Sequence, residues 1–418
     1  MNIKIVLSRE NIILFFLALL CVCLLSPLVM KTIGSMAVLL IAALCLLSEI
    51  RLLARCKVCE RNTIILIVLY LAVFLLYYVL GISVSSSAQN VTRILFFLPF
   101  VCLVPFFSHL NKRQMRFLLT VSLVVMAFTM IWNYYLKIQW GYRYSYQLSS
   151  ISGIRGIVNT QYTSAIMLLS GGLFCSFLHA RTIAQKYLSL AGVALCMLFN
   201  ILVTQRTIAF LLSILMYILL ILANSPKRSP RRIVISILSI AILFYIMLDY
   251  DTILSWLANI TGSTRFQTRI DSLTQLFQTQ SMETLESGSL RTRIRLAGVS
   301  INTFFQSFSN FFLGVGHRTD SNLLVGNHSQ LVDEFARFGI FGGVLSSAVV
   351  YRMLRDIRIK SNIKLKTILW QQFGVILFVA FLRMCVGTLF DPSIGAVLFI
   401  ILPILFQLIE TNEGNEGV

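Results

Sequence analysis

The sequence predicts an all-α integral membrane protein with about twelve transmembrane helices and one large extracytoplasmic loop that contains amphipathic helices. Two observations support this fold class. First, 57% of the 418 residues are apolar and only 12% are charged, about half the charged fraction of a soluble domain. Second, apolar runs of about 20 residues, the length that spans a bilayer, recur along the chain.

The predicted spans are apolar runs of roughly 18–24 residues that end at polar or charged residues. They cover residues 11–30, 33–50, 63–83, 92–109, 116–136, 161–180, 187–205, 207–224, 233–250, 334–352, 367–390 and 393–410. Only Thr204-Gln205-Arg206 separates the seventh span from the eighth, so we expect a sharp turn there. The sequence shows no convincing internal repeat and no clearly interrupted span.

These spans divide the chain into three predicted regions. A nine-helix membrane region covers residues 1–250, the large extracytoplasmic loop covers 251–333, and a three-helix membrane region covers 334–418. A loop of about 80 residues that has no role in topology is usually functional.

The basic residues predict the orientation. Most of the 35 lysines and arginines lie in short clusters on alternate loops, and such loops stay on the cytoplasmic side. Both termini are therefore expected in the cytoplasm and the large loop outside. The net charge of +19 reflects this topology, so we expect no nucleic-acid partner.

The cysteines predict neither a disulfide nor a metal centre. Seven of the nine lie in apolar runs, where cysteine acts as a small hydrophobic residue. Cys56 and Cys59 form a CxxC motif with no second pair or nearby histidine to complete a zinc site. The sequence thus implies no metal and no other cofactor.

Two groups of arginines are candidate binding residues. Arg206 stands between two apolar helices at the predicted outer face, where it either snorkels to the interface or binds an anionic group such as a phosphate. Arg291, Arg293 and Arg295 open a predicted helix with an apolar stripe. That helix either rests on lipid headgroups or presents its arginines to a ligand.

Three further polar residues are predicted near the outer face. His328 precedes a predicted helix at 331–353, which Asn327 or Ser329 could cap. Histidine is the side chain best suited to accept a proton from a hydroxyl near neutral pH, although a single histidine is more often structural. Arg383 lies near the outer end of the eleventh span, and Asp391 follows it. A charge in a membrane helix is a functional hypothesis by default, with an ion pair between these two as the alternative.

Taken in order, these motifs resemble the O-antigen ligases and the O-antigen and capsular polysaccharide polymerases. Thr204-Gln205-Arg206 before an apolar helix resembles the family's arginine at the outer start of a helix. The stretch from Arg293 to Phe305, followed by residues 312–316, resembles its loop arginine, amphipathic helix and glycine turn. His328, separated by ten residues from Gly339, resembles its histidine motif. The motifs cover about a third of the chain.

The resemblance implies a GT-C-like, metal-independent inverting glycosyltransferase in the bacterial cytoplasmic membrane, with its active site on the outer side. The donor would be a glycan on undecaprenyl diphosphate. Arg206 and Arg293 would neutralise the diphosphate, with Arg291, Arg295 and Arg383 as further substrate-binding residues. His328 would activate the acceptor hydroxyl. A membrane lipid environment and a chain-length regulator are the other implied partners.

Three alternatives stay open at this stage. Ligases commonly have Asn after the histidine, whereas this chain has Ser329, and the span from Gly316 to His328 is short for a ligase. The resemblance therefore favours a polymerase over a ligase. A polytopic transporter or flippase of lipid-linked glycan is the rival from another class, and a structural membrane subunit is the third.

Overall fold

The computed structural model describes residues 9–53, 58–79, 87–107, 109–140, 158, 161–204, 207–224, 289–316, 325–326, 329–361, 363–364 and 367–413. Within these ranges nearly every residue is helical and no strand occurs. The all-α fold class predicted from the sequence is therefore confirmed for this part of the chain.

The described helices follow the predicted apolar runs. They are α1 Arg9–Leu25, α2 Pro27–Leu53, α3 Val58–Val79, α4 Ser87–Phe107, α5 Lys112–Trp140, α6 Tyr162–Leu178, α7 Ile183–Leu198, α8 Thr207–Asn224, α9 Ser289–Phe305, α10 Phe308–Leu313, α11 Gln330–Lys360, α12 Ile368–Val386, α13 Pro392–Ala396 and α14 Leu402–Glu413. A π-helical segment, Phe199–Thr204, extends α7, and another, Val397–Ile401, joins α13 to α14. The predicted span at 233–250 lies outside the described residues.

Five described helical segments are long and apolar enough to cross a membrane: Pro27–Ser48, Lys112–Gln139, Ile183–Thr204, Ile368–Val386 and Pro392–Thr411. Shorter apolar helices accompany them. Many large apolar side chains on the outside of the helices are exposed, which in an aqueous protein would be a strong liability. In a bilayer the same side chains contact lipid, so the described part of the chain is that of a helical membrane protein. The number of twelve spans stays a prediction.

The last helical unit occupies the centre of the bundle. From Leu389 to Phe406 every residue is buried, and this stretch packs against α1, α4, α5 and α6. A helix that is apolar on all sides is stable only when other helices surround it or lipid covers it. This central helix therefore provides the apolar surface against which the surrounding helices pack.

Two helices are interrupted by glycines. Gly34 in α2 and Gly339 in α11 have positive φ angles of 79° and 63°, a left-handed conformation that glycine adopts without steric cost. The first interruption lies just after the start of the predicted span at 33–50. The second lies inside the predicted span at 334–352, so both breaks fall within spans in which the sequence showed no clear interruption.

The glycine turn after α10 closes the interruption in α11. The Val315 amide donates to the carbonyl of Ala336 at 3.0 Å, and the Gly316 amide donates to the carbonyl of Arg337 at 2.8 Å. These carbonyls lie one turn before the break at Gly339, where helical partners are lost. The turn thus satisfies the acceptors that the bend exposes, and it attaches α10 to α11.

Gly314 and Gly339 face each other at this contact. A methyl group on Gly339 would overlap the backbone of Phe312, and one on Gly314 would overlap the backbone of Arg337. Both positions also have positive φ. Only glycine fits at either position, because the two backbones touch.

Substitution of Gly339 by alanine should therefore destabilise the protein. The left-handed conformation alone costs about 1–3 kcal/mol for a residue with a side chain, and the overlap adds to this. The measurement is thermal unfolding in detergent. Gly298→Ala is the matched control, because its added methyl group in α9 would meet nothing within 4 Å. An unchanged melting temperature for Gly339→Ala would contradict the described bend.

Candidate functional site

A polar cavity of about 350 Å³ lies at the beginning of α11. Its lining residues come from the ends of helices that the basic clusters assign to the outer side. They are Thr92, Arg93, Gln161, Gln330, Asp333, Glu334, Arg337, Thr388, Phe390 and Asp391. A concave site with several convergent polar groups is the default candidate for ligand binding.

A buried ion pair forms one wall of the cavity. Arg93 Nη2 of α4 lies 2.6 Å from Glu334 Oε1 of α11, and the two side chains are only 7% and 1% exposed. Arg93 Nη1 also donates to the Tyr70 hydroxyl of α3 at 2.8 Å, and that hydroxyl donates to Glu334 Oε2 at 3.2 Å. The guanidinium lies 5.6 Å from the ring centres of Phe338 and Phe390. The pair therefore joins three helices in an apolar environment.

Ser329 caps α11, and it is one of the two caps, Asn327 or Ser329, that the sequence offered. Its Oγ accepts a hydrogen bond from the Val332 amide at 3.5 Å, which is the expected N-cap contact. The same hydroxyl donates to the Cys385 carbonyl at 2.6 Å. The cap thus also attaches the start of α11 to the end of α12.

Gln330 makes the next connection to this segment. Its amide donates to the Gly387 carbonyl at 3.0 Å, and its Oε1 accepts from the amides of Leu389 and Phe390 at 2.6 and 3.0 Å. These bonds determine which end of the side-chain amide is the oxygen. Gln330 also lines the cavity, and its Nε2 is buried without a hydrogen-bond partner among the described residues.

Asp333 connects α11 to α9. Its Oδ1 accepts from Ser300 Oγ at 2.6 Å, and its Oδ2 accepts from the Ser329 amide at 3.1 Å. Ser300 Oγ in turn accepts from the Gly326 amide at 2.9 Å. Gly326 packs so closely on the backbone of Leu296 that a methyl group there would overlap it. Residues 326 and 329 are therefore both attached to the helix that carries the loop arginines.

The residues predicted from the loop motifs are only partly described. His328 and Arg206 lie outside the described residues. Arg291 and Arg293 lie in α9, but their side chains are also outside the described part, whereas Arg295 is described and exposed. The structure therefore leaves the predicted roles of these residues as predictions.

Arg383 contacts Gly387, the residue before Thr388 of the cavity lining. Its Nε donates to Ser164 Oγ of α6 at 2.6 Å, and its guanidinium packs directly on Gly387. Asp391 lines the cavity and caps α13, because its Oδ1 accepts from the Ser393 amide at 3.0 Å. Both residues predicted near the outer face thus belong to the segment that contacts the start of α11.

The sequence analysis missed most of the cavity lining, including Arg93, Glu334 and Gln330, and it missed Tyr70, which binds the ion pair but is not among the lining residues. Arg93 was the easiest to detect, because it is a charge at the start of an apolar span. Glu334 follows Asp333 at the start of another span, where acidic residues are common at a helix N-terminus. Tyr70 and Gln330 carry no comparable signal, because tyrosine and glutamine are frequent near helix ends.

The chain matches no model of a known protein family, and it matches no curated protein. Among the described residues, no group of three or more histidine, cysteine, aspartate or glutamate side chains could hold a metal ion.

The buried ion pair leads to a test by a double-mutant cycle. We expect Glu334→Ala to lower the free energy of unfolding by about 3–5 kcal/mol, because it leaves the Arg93 charge buried without its partner. The Arg93→Ala/Glu334→Ala double variant should lose less than the sum of the two single variants. Denaturant unfolding in micelles measures all three.

Arg355→Ala is the control for this cycle. Arg355 pairs with Asp356 at 3.3 Å but is 36% exposed, so its loss should cost at most about 1 kcal/mol. Additive effects of the two single variants at 93 and 334 would contradict the described pair.

Proposed function

We propose that this protein is a polysaccharide repeat-unit polymerase. It transfers a glycan from undecaprenyl diphosphate to a sugar hydroxyl of another lipid-linked repeat unit on the outer face of the cytoplasmic membrane. One observation supports this above the others: a polar cavity lies at the start of α11, and His328 precedes that helix by two residues.

The arginines of the outer loops would act on the leaving group. Arg206 and Arg293 bind the diphosphate, since a guanidinium donates two parallel hydrogen bonds to phosphate oxygens and stays charged. Negative charge develops on the diphosphate as its bond to the sugar breaks, and cations held there stabilise that state. The bond from Ser300 to Asp333, which holds α9 against α11, supports this assignment.

His328 would act as the general base. It accepts the proton of the acceptor hydroxyl while that oxygen attacks the anomeric carbon of the donor sugar. The bond between the anomeric carbon and the diphosphate oxygen breaks, and the electron pair leaves with undecaprenyl diphosphate. A single in-line displacement of this kind inverts the anomeric carbon. The attachment of residues 326 and 329 to α9 supports a general base near the arginine-bearing helix.

A flippase for lipid-linked glycan is the second candidate, and one observation favours it. Transporters commonly use interrupted helices at their substrate sites, and α11 is interrupted at Gly339 beside the cavity. The two candidates differ in their product, because a flippase moves the lipid-linked unit across the membrane without lengthening the glycan.

The central test uses purified protein with lipid-linked repeat units. The wild-type protein should produce a ladder of lengthening lipid-linked glycans on a gel, and His328→Ala should lower the rate of elongation by about 10²–10⁴-fold, the usual contribution of a general base. His109→Ala is the control, since His109 is exposed at the end that the basic clusters assign to the cytoplasm.

The outcomes separate the candidates. Transfer of the glycan to lipid A core, and not to a second repeat unit, would indicate a ligase. Movement of the lipid-linked unit across proteoliposome membranes without elongation would indicate a flippase. Elongation at the wild-type rate by His328→Ala would refute the proposed base.

The arginine assignment has its own test. Arg206→Lys and Arg293→Lys keep the charge but lose the paired hydrogen bonds, so each should lower kcat/KM for the lipid-linked donor by about tenfold or more. Arg181→Lys, an exposed change at the predicted cytoplasmic side, is the control. Equal kcat/KM for all three variants and the wild type would exclude bidentate phosphate binding by Arg206 and Arg293.

A further inference from the structure

We infer that α10 and the end of α9 are embedded in the outer leaflet of the bilayer, where their exposed apolar side chains contact lipid acyl chains. The sequence assigns these residues to the extracytoplasmic loop 251–333 and leaves the surroundings of its helix open. The inference depends neither on the polymerase nor on the flippase. It follows from the depth of the bend in α11, from the apolar surface beside that bend, and from the two exposed faces of α9.

The bend at Gly339 lies within the thickness of the hydrocarbon core. Arg352 is the first basic residue of the cluster that the sequence places on the cytoplasmic side. Between Gly339 and Arg352, α11 has only the uncharged residues 340–351, which extend roughly 18 Å. The hydrocarbon core is about 30 Å thick, and an arginine that reaches toward the headgroups makes up only part of the difference. The bend is therefore below the outer edge of the core.

The helix α10 lies at the same depth, because it touches the bend. A methyl group on Gly339 would overlap the carbonyl of Phe312, and the ring centres of Phe312 and Phe341 are 5.7 Å apart. The ring of Phe308 follows, with its centre 4.6 Å from that of Phe312. A row of aromatic rings thus leads from the spanning part of α11 onto α10.

This row forms one exposed apolar surface. Phe308 is 81% exposed, Phe305 is 68% exposed and Phe341 is 67% exposed. Val344 is also exposed and lies three residues after Phe341, on the same side of α11 and inside the predicted span. In water an apolar surface of this kind is a liability, whereas at the depth of the hydrocarbon core acyl chains cover it.

The exposed part of α9 is itself divided into two faces. Its buried face, which includes Ser300, packs on α11. Ile301 and Phe305 are exposed and four residues apart, so they form one row along the helix. Asn302 and Gln306 are also exposed and form a polar row beside it. A helix with adjacent polar and apolar exposed faces fits the boundary between headgroups and acyl chains.

The backbone around α10 is also compatible with lipid. The turn at 315–316 donates to the carbonyls that the bend exposes, at 3.0 and 2.8 Å. The Asn310 side chain donates to the carbonyl of Thr303 at 3.1 Å, and the Asn310 amide donates to Ser307 Oγ at 3.0 Å. Irregular backbone at membrane depth requires such pairing within the protein, because acyl chains offer no hydrogen-bond partner.

Photocrosslinking tests which partner covers this surface. Phe308 is replaced by p-benzoylphenylalanine, an aromatic residue that reacts with nearby C–H bonds on irradiation, and Phe305 is replaced in the same way in a second variant. Gln306 is the matched control, because it is exposed on the polar row beside Phe305. Phe128, exposed in the middle of α5, is the reference for contact with acyl chains. The full-length variants are reconstituted in vesicles of phosphatidylethanolamine and phosphatidylglycerol, and mass spectrometry measures the lipid adducts.

We expect the variants at Phe308 and Phe305 to form lipid adducts in about the yield of the variant at Phe128. The variant at Gln306 should form about tenfold fewer, because the polar row faces water and headgroups. These yields would support an α10 that is embedded in the outer leaflet.

Four results would overturn the inference. The first is an absence of lipid adducts at Phe308, or at Phe305 where the Phe308 variant does not fold. The second is a yield at Gln306 equal to that at Phe308, since the two faces would then have the same surroundings. The third is a crosslink between two copies of the chain, which would make the surface a subunit interface. The fourth is adducts that form only after undecaprenyl diphosphate is added to the vesicles, which would assign the surface to that lipid's tail.

Discussion

The ion pair between Arg93 and Glu334 joins the beginning of α11 to α4, and it forms one wall of the cavity. A buried carboxylate in an apolar bundle is costly unless a cation and further hydrogen bonds compensate it. Arg93 and Tyr70 provide both, so α3, α4 and the first turn of α11 must meet at one place. Gln330, Asp333 and Arg337, which also line the cavity, lie within four positions of Glu334. Loss of the pair would therefore alter the whole site and not one wall of it.

The bend at Gly339 is the second constraint. A straight helix of 31 residues would extend roughly 46 Å, well beyond the ~30 Å hydrocarbon core of a bilayer. The bend separates a short polar segment at 330–338 from the longer helix that follows. The short segment can then lie across the ends of neighbouring helices, where Asp333 binds Ser300 and Gln330 binds the turn after α12. The backbone contact between Gly314 and Gly339 holds this arrangement in place.

Local features of the fold were predictable, and the composition of the cavity was not. The apolar runs predicted helices because backbone groups in lipid must be satisfied within the helix, and Asn327 or Ser329 was predicted as a cap from residue type and position. Arg93 and Glu334 are 241 residues apart, and no local pattern indicates that they meet. Gly339 was noted for its spacing from His328, but its conformation depends on a contact with Gly314 that spacing alone does not reveal.

The sequence by itself determined that the protein is helical and lies in a membrane, since both follow from composition and from the length of apolar runs. It also indicated that functional residues gather on the predicted outer side, because charges are rare in this chain and their positions stand out. Only the tertiary structure decided which of these residues share a cavity, and it added Arg93, Glu334 and Gln330 to them, with Tyr70 as a partner of the ion pair. The physical reason is that apolar periodicity fixes the helices one at a time, whereas a buried charge selects its partner from any helix that can reach it.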